Sequence, residues 1–128
     1  MIKQKPIGHL TKNGSRLEIH EQQTIDLLLS HGFDIELIVA SNQPGSRTPD
    51  ILMNGVCWEI KSPCGNSKRT LENNLRRASE QSENIIFDLR RIKLNNLTCI
   101  KELEKQFKKR NKIKRMIIID QKDRLILL

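Results

Sequence analysis

The chain has 128 residues and a mass of 14.9 kDa, the size of one domain rather than two. Hydrophobic residues make up 37% and charged residues 30%, enough for a packed core, while no stretch reaches the roughly 20 apolar residues that cross a bilayer. Lys and Arg number 23 against 15 Asp and Glu; a net charge of +8 on so small a chain points to a polyanion, nucleic acid ahead of membrane.

Residues 1 to 15 hold Pro6, Gly8, Asn13 and Gly14 and read as a basic, loosely ordered lead-in to a single domain over 16 to 128. No apolar segment follows Lys3 and Lys5, so no signal peptide is expected. From Leu17 to Ser30 the apolar residues Leu17, Ile25, Leu28 and Leu29 recur at helical spacing, with Gly32 as the C-cap. Phe33, Ile35, Leu37 and Val39 then alternate with Asp34 and Glu36 as a strand, and Ser41–Ser46 is a loop. Two apolar runs flank Asn54-Gly55, the strongest short hairpin signal. A helix is expected over 67–82, capped by Asn66 or Ser67, with Leu71, Leu75 and Ala78 on its buried stripe. Ile85-Ile86-Phe87 is continuous and apolar, as a strand covered on both faces would be. Leu97, Ile100, Leu103 and Phe107 mark another amphipathic helix, and Met116–Ile119 and Leu125–Leu128 a closing strand pair. The order α-β-β-β-α-β-α-β-β implies an α/β sandwich, a mixed sheet flanked by helices.

If Asn54 and Gly55 fill a type I′ loop, Met53 faces Val56, Leu52 faces Cys57, Ile51 faces Trp58 and Asp50 faces Glu59. Alternation then puts Ile51, Met53, Val56, Trp58 and Ile60 on one apolar face and Asp50, Glu59 and Lys61 together on the other. Directly opposed carboxylates are destabilising unless something neutralises them. A divalent cation would do so, and Mg²⁺ suits because it takes few protein oxygens and keeps waters that can serve as nucleophile. Lys61 would orient or deprotonate such a water, or neutralise phosphoryl charge. The same charges also suit a plain solvated hairpin. Glu21 lies on the Leu17–Ile25–Leu28 stripe, where a carboxylate needs a partner, and Glu18 competes with it one turn earlier.

The second helix carries Lys68, Arg69, Arg76 and Arg77, with Thr70, Asn74, Arg77 and Gln81 on one line, a pattern that suits phosphate contacts as well as a solvated face. Residues 101–115 hold eight basic and two acidic side chains and fit a flank of a substrate groove. His20 and His31 are about 16 Å apart along one helix, too far to share a phosphate. A metal-free acid–base pair of His9 and His20 remains an alternative. Cys57, Cys64 and Cys99 offer neither a closed disulfide framework nor four zinc ligands, and Cys57 reads as packing rather than as a nucleophile. The four aromatic residues are too few for a base-stacking platform.

Pro49-Asp50, eight intervening residues, then Glu59-Ile60-Lys61 resembles the PD-(D/E)XK nuclease signature. More closely, His20-Glu21 with Gly32, Thr48-Pro49-Asp50, Asn54-Gly55 and Trp58–Pro63 are similar to the tRNA-nuclease-type C-terminal toxin domains of CdiA contact-dependent growth inhibition proteins. Gly65–Thr70 and Asn84–Leu89 fit the same pattern, so the resemblance covers residues 18 to 91. It implies a restriction-endonuclease-like core, with Asp50, Glu59 and the Ile60 carbonyl as metal ligands, Lys61 as catalytic lysine and Glu21 as the helix acid. Gln81 would stand near the active site as in some relatives, while Lys68, Arg69 and Arg77 are assigned to substrate by their own place on the helix; the cofactor would be Mg²⁺, with Mn²⁺ as a substitute. It further implies hydrolysis of tRNA, a cognate immunity protein, an activating partner in the target cell, and delivery from the producing cell's surface within a larger toxin that acts in the target cytoplasm. The residues alone leave open a DNase on the same scaffold and a non-catalytic nucleic-acid-binding module.

Overall fold

The computed structural model of the chain describes residues 7–12, 17–39 and 49–128. The expected loop Ser41–Ser46, Thr48 of the motif, and most of the lead-in lie outside those residues. The elements run β1 (Leu10–Thr11), α1 (Ile19–Ser30), β2 (Ile35–Leu37), β3 (Ile51–Met53), β4 (Val56–Lys61), α2 (Lys68–Gln81), β5 (Asn84–Asp88), α3 (Asn96–Lys109), β6 (Arg115–Ile119) and β7 (Leu125–Leu127). The seven strands form one mixed sheet in sequence order. The β1–β2, β4–β5 and β5–β6 pairs are parallel and the other three antiparallel.

This is the expected element order with one addition. Within the stretch read as a loose lead-in, Leu10 pairs with Ile35, and the Ile35 N–H donates to the His9 carbonyl at 2.8 Å. The partner is 25 residues away, and Pro and Gly nearby mask the pairing locally.

Alternation divides the sheet's side chains between two cores. On one face Ile35, Leu37, Ile51, Met53, Trp58, Ile60, Ile86, Ile117 and Ile119 pack with Ile25 and Leu28 of α1. On the other, Ile85, Phe87, Met116 and Ile118 pack with Leu71, Leu75 and Ala78 of α2 and with Cys99 and Leu103 of α3. Covered on both sides, β5 is buried at every residue, as its apolar run predicts. The second and third helices start where their caps dictate: the Ser67 hydroxyl accepts the Thr70 N–H at 3.3 Å, and Asn95 Oδ1 accepts the Thr98 N–H at 3.1 Å. Gly32, at φ +91°, closes α1 by donating its N–H to the Leu29 carbonyl.

Leu97 is not on the buried stripe of α3. It is 58% exposed, and Cys99, one turn before Leu103, takes the inward place. The hairpin is as expected through the strands: Asn54 and Gly55 have φ of +53° and +75°, and Ile51–Trp58, Leu52–Cys57 and Met53–Val56 are paired.

Candidate active site

Beyond Ile51 the hairpin departs from the ideal register. The Asp50 N–H donates at 3.0 Å to the carbonyl of Trp58, the residue already paired with Ile51. Two residues against one is the count of a β-bulge, a device that re-aims a side chain. Asp50 is thereby turned from the plain cross-strand position opposite Glu59, and its Oδ2 accepts the Ile60 N–H at 2.8 Å. Along a strand the N–H and C=O of one residue point to the same edge, so the Ile60 carbonyl also faces the end of β3.

Glu59 lies one position before Ile60 and so projects from the opposite face, the side that α2 covers. Only 6% of it is exposed, and its Oε1 is buried without a hydrogen-bond partner among the described residues. Burial first, and then the charge and hydrogen bonding of Asp50, push its carboxyl up to about 8; Lys61, with Nζ 3.5 Å from Glu59 Oε2, pulls the other way. A carboxylate this dry beside another acid holds a proton at neutral pH unless a cation replaces it. Two carboxylates, one with an unclaimed oxygen, and a nearby carbonyl form an all-oxygen donor set that fits a small hard divalent cation.

These groups line a cleft of about 290 Å³ with Glu18, His20 and Glu21 from the start of α1, Ser62 and Pro63 after β4, and Asn74 from α2. Both helix acids therefore reach it. The Glu18 N–H donates to Glu21 Oε1 at 3.2 Å, so Glu21 also closes the helix start, and His20 Nε2 lies 3.4 Å from Glu18 Oε2. Ligand atoms of Glu18, His20 and Glu21 all fall within 4.8 Å of one another. In the sequence His20 stands out as half of a candidate histidine pair and as part of the His20-Glu21 motif, not as a cleft residue in its own right. That pair does not form, since His9 lines a different groove beside Asp34.

Asn74 was on the Thr70–Gln81 line yet drew no role. It is the member of that line that lines the cleft, with its Nδ2 donating to the Thr70 carbonyl at 2.8 Å. Lys68 and Arg69, in the exposed first turn of α2, and Arg77 and Gln81, further along it, are not among the lining residues. Nor is the 101–115 stretch a flank of the cleft. Its helical part packs over β5 and β6, and α2, which touches both α3 and β4, lies between. Cys57 is exposed and outside the cleft.

A model of the family described as contact-dependent growth inhibition CdiA C-terminal domain matches residues 47–125, which carries the match well past residue 91. Comparison with curated proteins finds no match. Among solved structures, a CdiA-CT/CdiI toxin and immunity complex from Burkholderia pseudomallei contains a similar chain. The TM-score is 0.68 at 17% identity, over 94% of this chain and 98% of that one, a likeness of fold. Among the described residues no helix is long and apolar enough to cross a membrane. With more than half its length matched by that family's model, the chain belongs to the CdiA C-terminal domain family and is a toxin domain of contact-dependent growth inhibition.

Proposed function

We propose that the domain is a Mg²⁺-dependent endonuclease with a PD-(D/E)XK core, hydrolysing phosphodiester bonds in tRNA in the cytoplasm of the target cell. The observation that carries this reading is the buried Oε1 of Glu59, without a hydrogen-bond partner among the described residues, beside Asp50 and Lys61. Asp50 and Glu59 would hold the cation with the Ile60 carbonyl, and the Ile60 N–H fixes Asp50 for that purpose. When bound, the ion supplies charge stabilisation at the phosphoryl oxygens and a polarised water. Lys61 stands beside Glu59, where it would orient or deprotonate the attacking water in its neutral form, or offset negative charge on the scissile group as an ammonium. Glu21, with Glu18 as its competitor, adds a carboxylate from the far wall.

The choice of tRNA rests on the motif resemblance; the +8 charge supports nucleic acid generally. A toxin domain of this kind requires an immunity protein in the producing cell, and the solved neighbour is described as a toxin and immunity complex. An acidic inhibitor would complement this basic chain. An activating partner in the target cell belongs to the same proposal.

The deciding experiment incubates the domain with total RNA and with plasmid DNA, each with Mg²⁺, with Mn²⁺ and with chelator. Loss of tRNA bands in Mg²⁺ but not in chelator is expected. Nicking of plasmid alone would make it a DNase, and binding without cleavage a non-catalytic module.

A further inference from the structure

We propose that the outer face of α3 is a second RNA-binding surface, separate from the cleft, which engages a distant part of a long, folded RNA. The inference extends the nuclease reading and rests on it for the identity of the polyanion.

Residues 101–115 carry eight basic and two acidic side chains, a surplus of six out of the chain's net eight. On α3 this charge is ordered. Lys101, Lys105, Lys108 and Lys109 line one shallow surface with Glu104 as the sole acid, and their spacing of four, seven and eight residues is that of a single helix stripe. The stripe lies opposite Cys99, Leu103 and Gln106, which bury the other side of the helix. Among the described residues none of the four lysines is in an ion pair. The other acid, Glu102, accepts instead from Gln106 Nε2. Evolution of a merely soluble surface would intersperse the signs; here one sign dominates two helical turns, about 12 Å.

Three polyanions compete for such a surface, and the composition of the stripe separates them. Protein interfaces are poor in Lys at their centres and rely on buried aromatic or Arg anchors, of which the stripe has none. An amphipathic helix on a membrane inserts its apolar face, but that face of α3 is already sealed in the core. Phosphate backbones need only positioned positive charge and the release of counterions, which lysines supply.

The location sets the length of RNA required. With α2 between α3 and the cleft, the stripe stands about two helix widths away, roughly 20 Å. Four stacked nucleotides span only about 14 Å. A short oligonucleotide cut at the cleft therefore never meets the stripe, whereas a folded RNA of tRNA size reaches both.

The test uses Lys105→Ala/Lys108→Ala/Lys109→Ala in the full chain, with melting curves to confirm the fold, since Ala favours exposed helix positions. In chelator, affinity for unfractionated tRNA should fall at least tenfold, and the slope of log affinity against log salt should shrink by about 2. Cleavage of an RNA tetranucleotide in Mg²⁺ should stay within twofold of wild type. Unchanged tRNA affinity and slope would overturn the proposal, as would an equal loss on the tetranucleotide, which would make the stripe part of the cleft. Stripe-dependent binding to phosphatidylserine vesicles with tRNA binding intact would reassign it to membranes. A wild-type chain that binds tRNA through the stripe yet cleaves nothing would refute the nuclease reading and leave this surface standing.

Discussion

Glu59→Gln tests the electrostatics of the cleft without any assay of cleavage. The wild-type carboxyl moves from an ordinary value of 4.5 to about 8 in the fold, chiefly because it is buried and secondly because Asp50 is close. A raised acid keeps its proton in the folded state after the unfolded chain has lost it. Folding stability is thus fully present below pH 4.5 and declines as pH rises toward 8. Each pH unit between those values is worth about 1.4 kcal/mol, which places the loss at roughly 3 kcal/mol by pH 7. Gln keeps the shape and removes the charge. The variant should therefore match wild type near pH 4.5 and melt on the order of 10 °C higher at pH 7 in chelator. Mg²⁺ should raise the wild-type melting temperature at pH 7 to 8, where it displaces the proton, and leave the variant nearly unmoved. Differential scanning fluorimetry across pH, with and without Mg²⁺, reads both effects. Parallel melting curves for the two proteins from pH 5 to 8.5 would show that the cleft does not hold a strained acid, and the metal site inferred from it would go too.

Lys61→Ala should cut turnover of RNA by at least a hundredfold while changing affinity in chelator less than threefold, because one ammonium contributes little to a contact with many phosphates. Equal losses in rate and affinity would reduce Lys61 to a docking residue. Inserting one residue between Asn54 and Gly55 should abolish Mg²⁺-dependent cleavage, since the slipped register cannot keep both Trp58 in the core and Asp50 on the Ile60 N–H; normal cleavage by the insertion mutant would disprove the register's role. Ser67→Ala removes the acceptor of the Thr70 N–H and should cost about 1 kcal/mol in urea unfolding, and an unchanged midpoint would mean that water caps α2 equally well.

The legible parts of this chain were those encoded by neighbours in sequence. The hairpin could be read to the residue because Asn54-Gly55 fixes register locally, and the buried β5 because an unbroken apolar run has few other uses. The bulge at Asp50 could not, because it goes with a contact to the segment after β2, where the Ile38 N–H donates to the Asp50 carbonyl at 3.0 Å. The same limit hid β1, whose partner lies across α1, and the entry of His20 and Asn74 into the cleft, which requires two helices to be docked on opposite faces of the sheet. The charge on 101–115 was visible as a quantity, but its place behind α2 was a matter of packing.

The order of the sheet has a kinetic consequence. Because strands one to seven lie side by side in the order of synthesis, each newly available strand finds its partner already in place. The β3–β4 and β6–β7 hairpins close over short turns, whereas the parallel pairs β1–β2, β4–β5 and β5–β6 must each bridge a helix before pairing is rewarded, so the entropic cost of folding is concentrated in those three crossovers. The β3–β4 hairpin, joined by two residues and carrying Glu59, is local enough to pair before those crossovers close.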